Sequence, residues 1–313
     1  MRKAFTRALY DISKKNKDVY SMTADIGVFA FNDIKKDFPE RFFNVGVAEA
    51  NMMGMAAGLA LSDKIPFVFT IAPFITMRCC EQIKVDVCYH DLPVKIYGAG
   101  GGFVYGPQGA THHAIEEIGV LRSLPNITLV CPSDPIETEK LTYESMKLKG
   151  PLYVRISRNN EPNYHDKEYD FKFGVADEIK SGSDISIIST GPVLGNVLDS
   201  YDVLKSKGYD ISIINMATVK PIDKKAVLKC AKQTGNIITV EEHNIIGGLG
   251  SAVAEVLSEN NCSDVNFKRL GVNDKFCEVH GTHEELQHEY GISSDSIITE
   301  VDNLLSGKII SKV

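Results

Sequence analysis

The alternation of short apolar runs with helical patterns constrains this chain more than any other feature. Asp18–Thr23, Phe42–Val45, Pro66–Ile71, Val94–Tyr97, Ile127–Cys131 and Leu152–Ile156 read as buried strands. Between them, Arg2–Lys15, Glu49–Leu61, Ile75–Tyr89, Ala114–Arg122 and Pro135–Lys147 carry amphipathic or small-residue helical patterns. Strands that are apolar on both faces and are separated by helices require a parallel sheet covered on both sides. A polar segment, Arg158–Asp170, has no helix or strand period and interrupts the pattern. The alternation then restarts, with strands at Ile185–Ser189, Ile211–Asn215, Asn236–Val240 and Phe267–Leu270. Helices follow at Pro192–Lys207, Lys224–Gln233, Gly248–Glu259, Glu284–Tyr290 and Ser294–Leu305. A chain of 313 residues is also longer than one core usually sustains. The expectation is two α/β domains, 1–165 and 181–313, joined by a linker at 166–180.

Composition removes several function classes. A net charge of −7 without a dense Lys/Arg cluster argues against a nucleic-acid surface. No apolar run reaches the ~20 residues of a membrane span. The N-terminal helix spreads its charges around an apolar face of Phe5, Ala8, Leu9 and Ile12, which is not the pattern of a secretory signal. Seven cysteines without a CxxC pair fit a reducing compartment, so the protein is expected in the cytoplasm. The adjacent Cys79 and Cys80 read as packing residues.

In open α/β sheets ligands gather at the carboxyl ends of the strands. There, Phe42–Leu61 reads as strand, glycine turn and a nearly all-apolar helix opening at Glu49, with no cation nearby in sequence. Such an acid is either a catalytic group or a first-turn residue complementing the helix dipole. Gly98–His113 is the longest loop of the first half and ends in Thr111-His112-His113. His112 at that place can move a proton or polarise an oxyanion, or it can cap its own helix. Glu241-Glu242-His243 followed by Gly247-Gly248-Leu249-Gly250-Ser251 superficially matches a dinucleotide fingerprint. No acid ends the next strand to take a ribose, so a nicotinamide site is rejected. His280-Gly-Thr-His283 lacks further metal ligands at sensible spacing and reads as a loop.

Taken together, FPERFFNVGVAEANMMGMAAGLAL, RCCEQI, GATHHAIEEIGVLRSLPN, CPSDPIET, YVRISRN and VEEHNIIGGLGSAVAE resemble the second half of transketolase. Over its full length the chain is most similar to the C-terminal subunit of split transketolases. It is related to 1-deoxyxylulose-5-phosphate synthase and to the β subunit of thiamine-dependent 2-oxo acid dehydrogenases. The resemblance implies a thiamine pyrimidine-binding domain with a mostly parallel sheet and a smaller transketolase C-terminal α/β domain. It also implies that Glu49 hydrogen-bonds a ring nitrogen of the thiamine diphosphate aminopyrimidine and stabilises its imino tautomer. Phe74, in the pattern FxxxR before Arg78, would stack on that ring, and Asp25-Ile26 would lie at the cofactor side of the subunit interface. His112 would face the reacting carbonyl, and Arg158 would hold a substrate phosphate through its guanidinium fork. Gly100, Gln108 and His113 fall at family substrate positions.

The family holds the diphosphate through Mg²⁺ with a GDG motif, and no GDG occurs here. A partner N-terminal subunit is therefore expected to bring diphosphate and metal, in a heterotetramer built on a dimer of this chain. The chain alone would supply no metal ligand. Several substrate positions depart from the family pattern. A histidine is replaced by Gly100, an aspartate by Gln108, the THQ motif by Thr111-His112-His113, a serine near Phe29, and an aromatic near Ile71. The resemblance thus implies two-carbon ketol transfer with a donor unlike the usual pentose and hexose phosphates: an unphosphorylated or nucleotide-linked sugar, or a pyruvate-derived two-carbon unit. Alternatives are a decarboxylating 2-oxo acid ligase or dehydrogenase component, and a non-catalytic partner-binding subunit. The second domain, including Glu241, Glu242 and His243, is expected to serve dimerisation.

Overall fold

The computed structural model describes residues 1–158 and 161–309. Asn159 and Asn160, in the expected loop 157–160 and polar segment, and the last residues of the expected second domain lie outside that set. Strands β1 (Val19–Thr23), β2 (Phe42–Asn44), β3 (Ile65–Ile71), β4 (Lys95–Ala99), β5 (Thr128–Val130) and β6 (Leu152–Ile156) lie close to the expected runs. They form one sheet in the order β5-β6-β4-β3-β1-β2, all parallel. β7 (Asp177–Lys180), β8 (Ile185–Ser189), β9 (Ile211–Asn215), β10 (Thr218–Lys220), β11 (Asn236–Asn244) and β12 (Asn266–Val272) follow. Five of these form a second sheet, β12-β11-β8-β9-β7, in which only the edge strand β7 runs antiparallel. The sixth, β10, crosses back and pairs antiparallel with β5, completing a seven-stranded first sheet. β7 thus lies within the expected linker 166–180, and β10, within the expected second domain, belongs to the first sheet.

Each face of the first sheet is covered for a legible reason. Arg2–Lys15 buries Phe5, Ala8, Leu9 and Ile12, as its apolar stripe requires. The Phe5 ring stacks on Tyr97 at 3.9 Å and lies 5.8 Å from Phe69. Burying such a ring stabilises by about 1.5–3 kcal/mol. On the opposite face Glu49–Leu61 buries Met52, Met53, Ala56, Ala57 and Ala60 in a cluster with Met22, Val68 and Ile96. Its outer side leaves Ala50, Asn51, Gly54, Met55, Gly58 and Leu61 exposed. The expected helix Ile75–Tyr89 is broken into Ala72–Met77, Cys80–Gln82 and a π-helical segment, Ile83–Cys88. In the last, Tyr89 N donates to Lys84 O. Cys79 packs in the core, as read. Among the described residues no helix is long and apolar enough to cross a membrane.

The seam between the sheets is polar and buried. Asp134 accepts from Tyr164 N, His165 N and His165 Nδ1, while Glu137 accepts from Ser133, Asn215 and Tyr169. Asn215 ends β9 and Tyr169 lies in the polar segment, so these bonds tie both halves and their connection together.

Candidate active site

Glu49 is placed by a strand, a turn and a helix. β2 ends at Asn44, Gly46 turns the chain at φ +73°, and Ala48 is the non-helical residue before Glu49. Ala48 offers no side-chain cap, so no N-cap side chain accepts from the amides of the first turn. Glu49 is only 3% exposed. The cation absent from its sequence neighbourhood arrives from the turn after Ala72–Met77: Arg78 Nη1 donates to Glu49 Oε2 at 3.1 Å. The same guanidinium lies 4.3 Å from the centre of the half-buried Phe74 ring. Among the described residues Oε1 of Glu49 accepts no hydrogen bond.

The line continues into the glycine loop. The Phe74 ring meets the His112 ring edge-on at 5.1 Å, and His112 lies 6.0 Å from Tyr105. Arg158 Cζ sits 4.7 Å from the Tyr105 ring centre. Glu49, Arg78, Phe74, His112, Tyr105 and Arg158 therefore form one contiguous surface from four separate loops. The helix expected at Ala114 begins at Glu117, with Glu116 as its cap. His112 thus lies in a turn, with its Nδ1 3.0 Å from Thr111 Oγ1, and does not cap that helix.

Other expected residues separate. His113 is 3% exposed, its Nε2 contacts Gly106 O at 3.2 Å, and its ring packs edge-on against Phe103. Burial lowers its pKa. The neighbour of His112 is thus an interior residue of the loop, which runs against its expected substrate contact. Gln108 is exposed without a side-chain bond among the described residues. Gly100, at φ +79°, is buried against Tyr105: a Cβ there would stand 1.9 Å from Tyr105 Cε2. Tyr105, which sequence reading passed over, fills that space. Asp25 is exposed at φ 55° and exchanges two hydrogen bonds with Asn44, at 2.9 and 3.2 Å, beside β2. Ile26 O accepts from Thr23 Oγ1. Beyond Arg158 opens a cavity of about 720 Å³ whose walls include Arg2, Lys3, Arg7 and Lys140.

The back of the glycine loop rests on the second half of the chain. Arg155 is buried, with its Nε 3.2 Å from Glu117 Oε1 and its Nη2 donating to Ala114 O and Glu242 O. Burial pushes the Glu117 carboxyl up, while the guanidinium beside it pulls it back. Glu242 Oε1 accepts from Phe103 N at 2.6 Å and lies 2.7 Å from His283 Nε2; Gln287 Nε2 donates to its Oε2 at 3.3 Å. Burial works against the Glu242 charge, but His283, Arg155 and the Phe103 amide outweigh it, and its pKa falls. His283 rises in return.

Glu241 explains the glycine motif that mimics a dinucleotide fingerprint. Its carboxylate accepts from Leu249 N at 2.7 Å and Gly250 N at 2.8 Å, the first amides of Leu249–Glu259. A Cβ at Gly248 would meet Glu241 Oε2 at 2.0 Å. The place where a Rossmann helix receives phosphate is here filled by the chain's own carboxylate. Burial pushes that carboxyl up to about 7.

Comparison with known proteins matches this architecture. The family model described as the transketolase pyrimidine binding domain covers residues 1–163, and the transketolase C-terminal domain covers 174–297. A subunit of the apulose-4-phosphate transketolase of Phocaeicola vulgatus is 38% identical over 95% of this chain and 94% of that one. The 6-deoxy-6-sulfo-D-fructose transketolase subunit SqwH of a Clostridium species is 34% identical over 95% and 92%. A solved split-gene transketolase, an inactive β4 tetramer, superposes with a TM-score of 0.90 at 36% identity, over 97% of this chain and 98% of that one. The chain belongs to the transketolase family, as a transferase subunit of the split type, and that family depends on thiamine diphosphate.

Proposed function

We propose that this chain supplies the aminopyrimidine half of a thiamine diphosphate site, completed by a partner N-terminal subunit that holds the diphosphate and Mg²⁺. The observation that carries this reading is the Glu49 carboxylate, buried at a helix start with one oxygen on Arg78 and the other open. An aminopyrimidine needs a carboxyl partner for its ring nitrogen and an aromatic wall, and Glu49 with Phe74 provides both. Thiamine diphosphate, when bound, supplies a thiazolium carbon that accepts and passes on a two-carbon ketol unit. Glu49 would share a proton with the ring nitrogen through Oε1, while Arg78 holds Oε2 and keeps the carboxylate from turning away. His112, edge-on to Phe74, would exchange a proton with the donor's carbonyl or hydroxyl oxygen. Asp25 and Ile26 would face the cofactor side of the subunit interface.

Apolar residues exposed near this surface, Phe29 at 88% and Val47 at 73%, support burial by other subunits. So does the outer side of Glu49–Leu61, where a Cβ on Gly54 or Gly58 would touch nothing within 4 Å. Self-association and a partner subunit fit these faces, and the assembly is expected in the cytoplasm. The donor is an anionic sugar outside the usual sugar phosphates, in keeping with the relatives named for apulose-4-phosphate and for a sulfo-fructose. Arg158 would take its phosphate or sulfonate, with the basic cavity behind it adding positive potential. Gln108 would face the substrate from its exposed place, and Gly100 would serve by admitting the Tyr105 ring that shapes the wall.

The test is Glu49→Gln in the complex reconstituted with the partner, thiamine diphosphate and Mg²⁺. Ketol transfer is expected to fall at least about a hundredfold, the scale of a general acid–base contribution. Full turnover by the variant, or by the wild-type chain without its partner, would remove the proposal.

A further inference from the structure

The second domain touches the candidate site at one well-defined place, the back of the glycine loop. That loop is closed at its base by Gly102 N donating to Ala114 O at 2.8 Å and Ala114 N to Gly102 O at 3.0 Å. Between those ends lie Tyr105 and His112. The base is held from behind by β11: Arg155 links Ala114 O to Glu242 O, and Asn244 N donates to Ile115 O at 2.7 Å. Leu286, His280 and Tyr290 pack against the loop, and one carboxylate bonds its backbone. Glu242 Oε1 takes the Phe103 amide, two residues before Tyr105. The fit is close enough to require glycine: a Cβ on Gly102 would lie 2.3 Å from Glu242 Cδ, and one on Gly101 2.0 Å from Arg155 Nε. Phe103 is fully buried, and its ring lies 5.0 Å from Tyr290 and 5.3 Å from His113.

From this geometry we infer that Glu242 is a positioning residue for sugar transfer: held by His283 and Gln287, its carboxylate fixes Phe103 and through it the placement of Tyr105 and His112. The inference rests on the proposed role of that loop. It gives the second domain a part in the reaction beyond association. A carboxylate suits the task because an accepting oxygen with a full charge makes a stronger bond to an amide than a neutral one. The His283 partner keeps that charge stable in a buried place. Glu49 and Phe74 stand on other elements and are held by Arg78, so cofactor binding is expected to depend on them more than on this Glu242 latch.

The experiment uses the complete complex with its partner, thiamine diphosphate and Mg²⁺. Glu242→Ala is expected to lower kcat/KM for the sugar about tenfold to a hundredfold, as a shift near 1 Å in a reacting group does. The dissociation constant of thiamine diphosphate, measured by calorimetry, should change less than about twofold, and amide exchange at Phe103–Tyr105 should accelerate. Glu242→Gln keeps an oxygen for the Phe103 amide and should recover to within about fivefold of wild type. Should Glu242→Ala fail to fold, His283→Asn carries the test at a side chain 19% exposed, with a loss of about threefold to tenfold and the same unchanged cofactor constant. Unchanged sugar kinetics, or cofactor affinity falling in step with kcat/KM, would overturn the inference. Glu49→Gln, run alongside, separates the two levels. If it loses turnover while the Glu242 variants do not, only the latch fails; if it retains turnover, the reading of the site fails.

Discussion

Gly100→Ala tests whether Tyr105 occupies the space beside the glycine loop. Two costs are readable from the coordinates. The first is conformational: an L-residue at φ +79° costs about 1–2 kcal/mol relative to glycine. The second is steric: the new methyl would lie 1.9 Å from Tyr105 Cε2 and 2.3 Å from Cδ2, so the ring must move. The ring is 7% exposed and carries Arg158 on its face, so moving it costs the roughly 1–3 kcal/mol typical of overpacking. The sum is about 2–5 kcal/mol. At about 2–4 °C per kcal/mol, the thermal midpoint should drop by several degrees or more. A double-mutant cycle separates the two terms. In a Tyr105→Ala background the steric cost vanishes and only the backbone strain remains, so the coupling should be about 1–3 kcal/mol in favour of the double variant. Circular dichroism of thermal and urea unfolding on the four proteins supplies the numbers. If Gly100→Ala costs the same with and without the tyrosine ring, Tyr105 does not fill that space and the wall drawn here is wrong.

Two further outcomes concern the buried ion pairs. His165, packed at a tilt on Tyr169 and held between Asp134 and Asp177, has its pKa raised to about 10: desolvation opposes the charge and is outweighed by the carboxylates. The stability it contributes is fully present below about pH 6.5 and is lost as pH rises through about 10, so wild type should lose unfolding free energy over that window and His165→Gln should lack that component. Arg155→Met leaves Glu117 buried without its cation and strips donors from Ala114 O and Glu242 O, so urea unfolding should show a loss of about 3–5 kcal/mol; a loss under about 1 kcal/mol would contradict the pairing.

The core strands, their parallel sheet and the main helices were legible because burial on both faces writes itself as continuous apolar runs, whereas the strand order was not. β4 and β6 are buried at every position, and Arg2–Lys15 packs the four residues its spacing nominates. β7 and β10 escaped because short antiparallel strands carry no such run: β7 alternates half-buried with exposed residues, and β10 has only three residues. The break at Arg78–Cys79 escaped for another reason. Apolar periodicity continues through it, and only tertiary contact with Glu49 shows why the chain turns there. Within the site, Glu49 and His112 stood out as residue types at strand ends, and Phe74 entered only through the resemblance to transketolase. Tyr105 did neither, because its place is defined by Gly100, and a glycine announces absent side-chain volume without saying which neighbour uses it. His113 was grouped with His112 by adjacency, but the two rings face different surroundings. Sequence neighbours in a turn point to opposite sides, and here one ring meets Phe74 while the other enters the loop's interior.

Glu241 and Glu242 show how one short motif can do two mechanical jobs in adjacent positions. Successive side chains of a strand point to opposite faces, so neighbouring carboxylates on β11 serve different elements. Glu241 turns to the amides opening Leu249–Glu259 and holds that helix against its own strand. Glu242 turns the other way, to Phe103 and His283. Each demands a glycine opposite it, Gly248 for the first and Gly102 for the second, because the carboxylate lies where a Cβ would be. One glycine of the dinucleotide-like pattern and one of the glycine-rich loop thus share a physical cause, a buried acid close against backbone, while Gly100 and Gly101 make room for Tyr105 and Arg155. Gly100, Gly101 and Gly102 are thus explained by the chain's own side chains, and on the proposed reading the substrate meets Tyr105, His112 and the neighbouring Arg158.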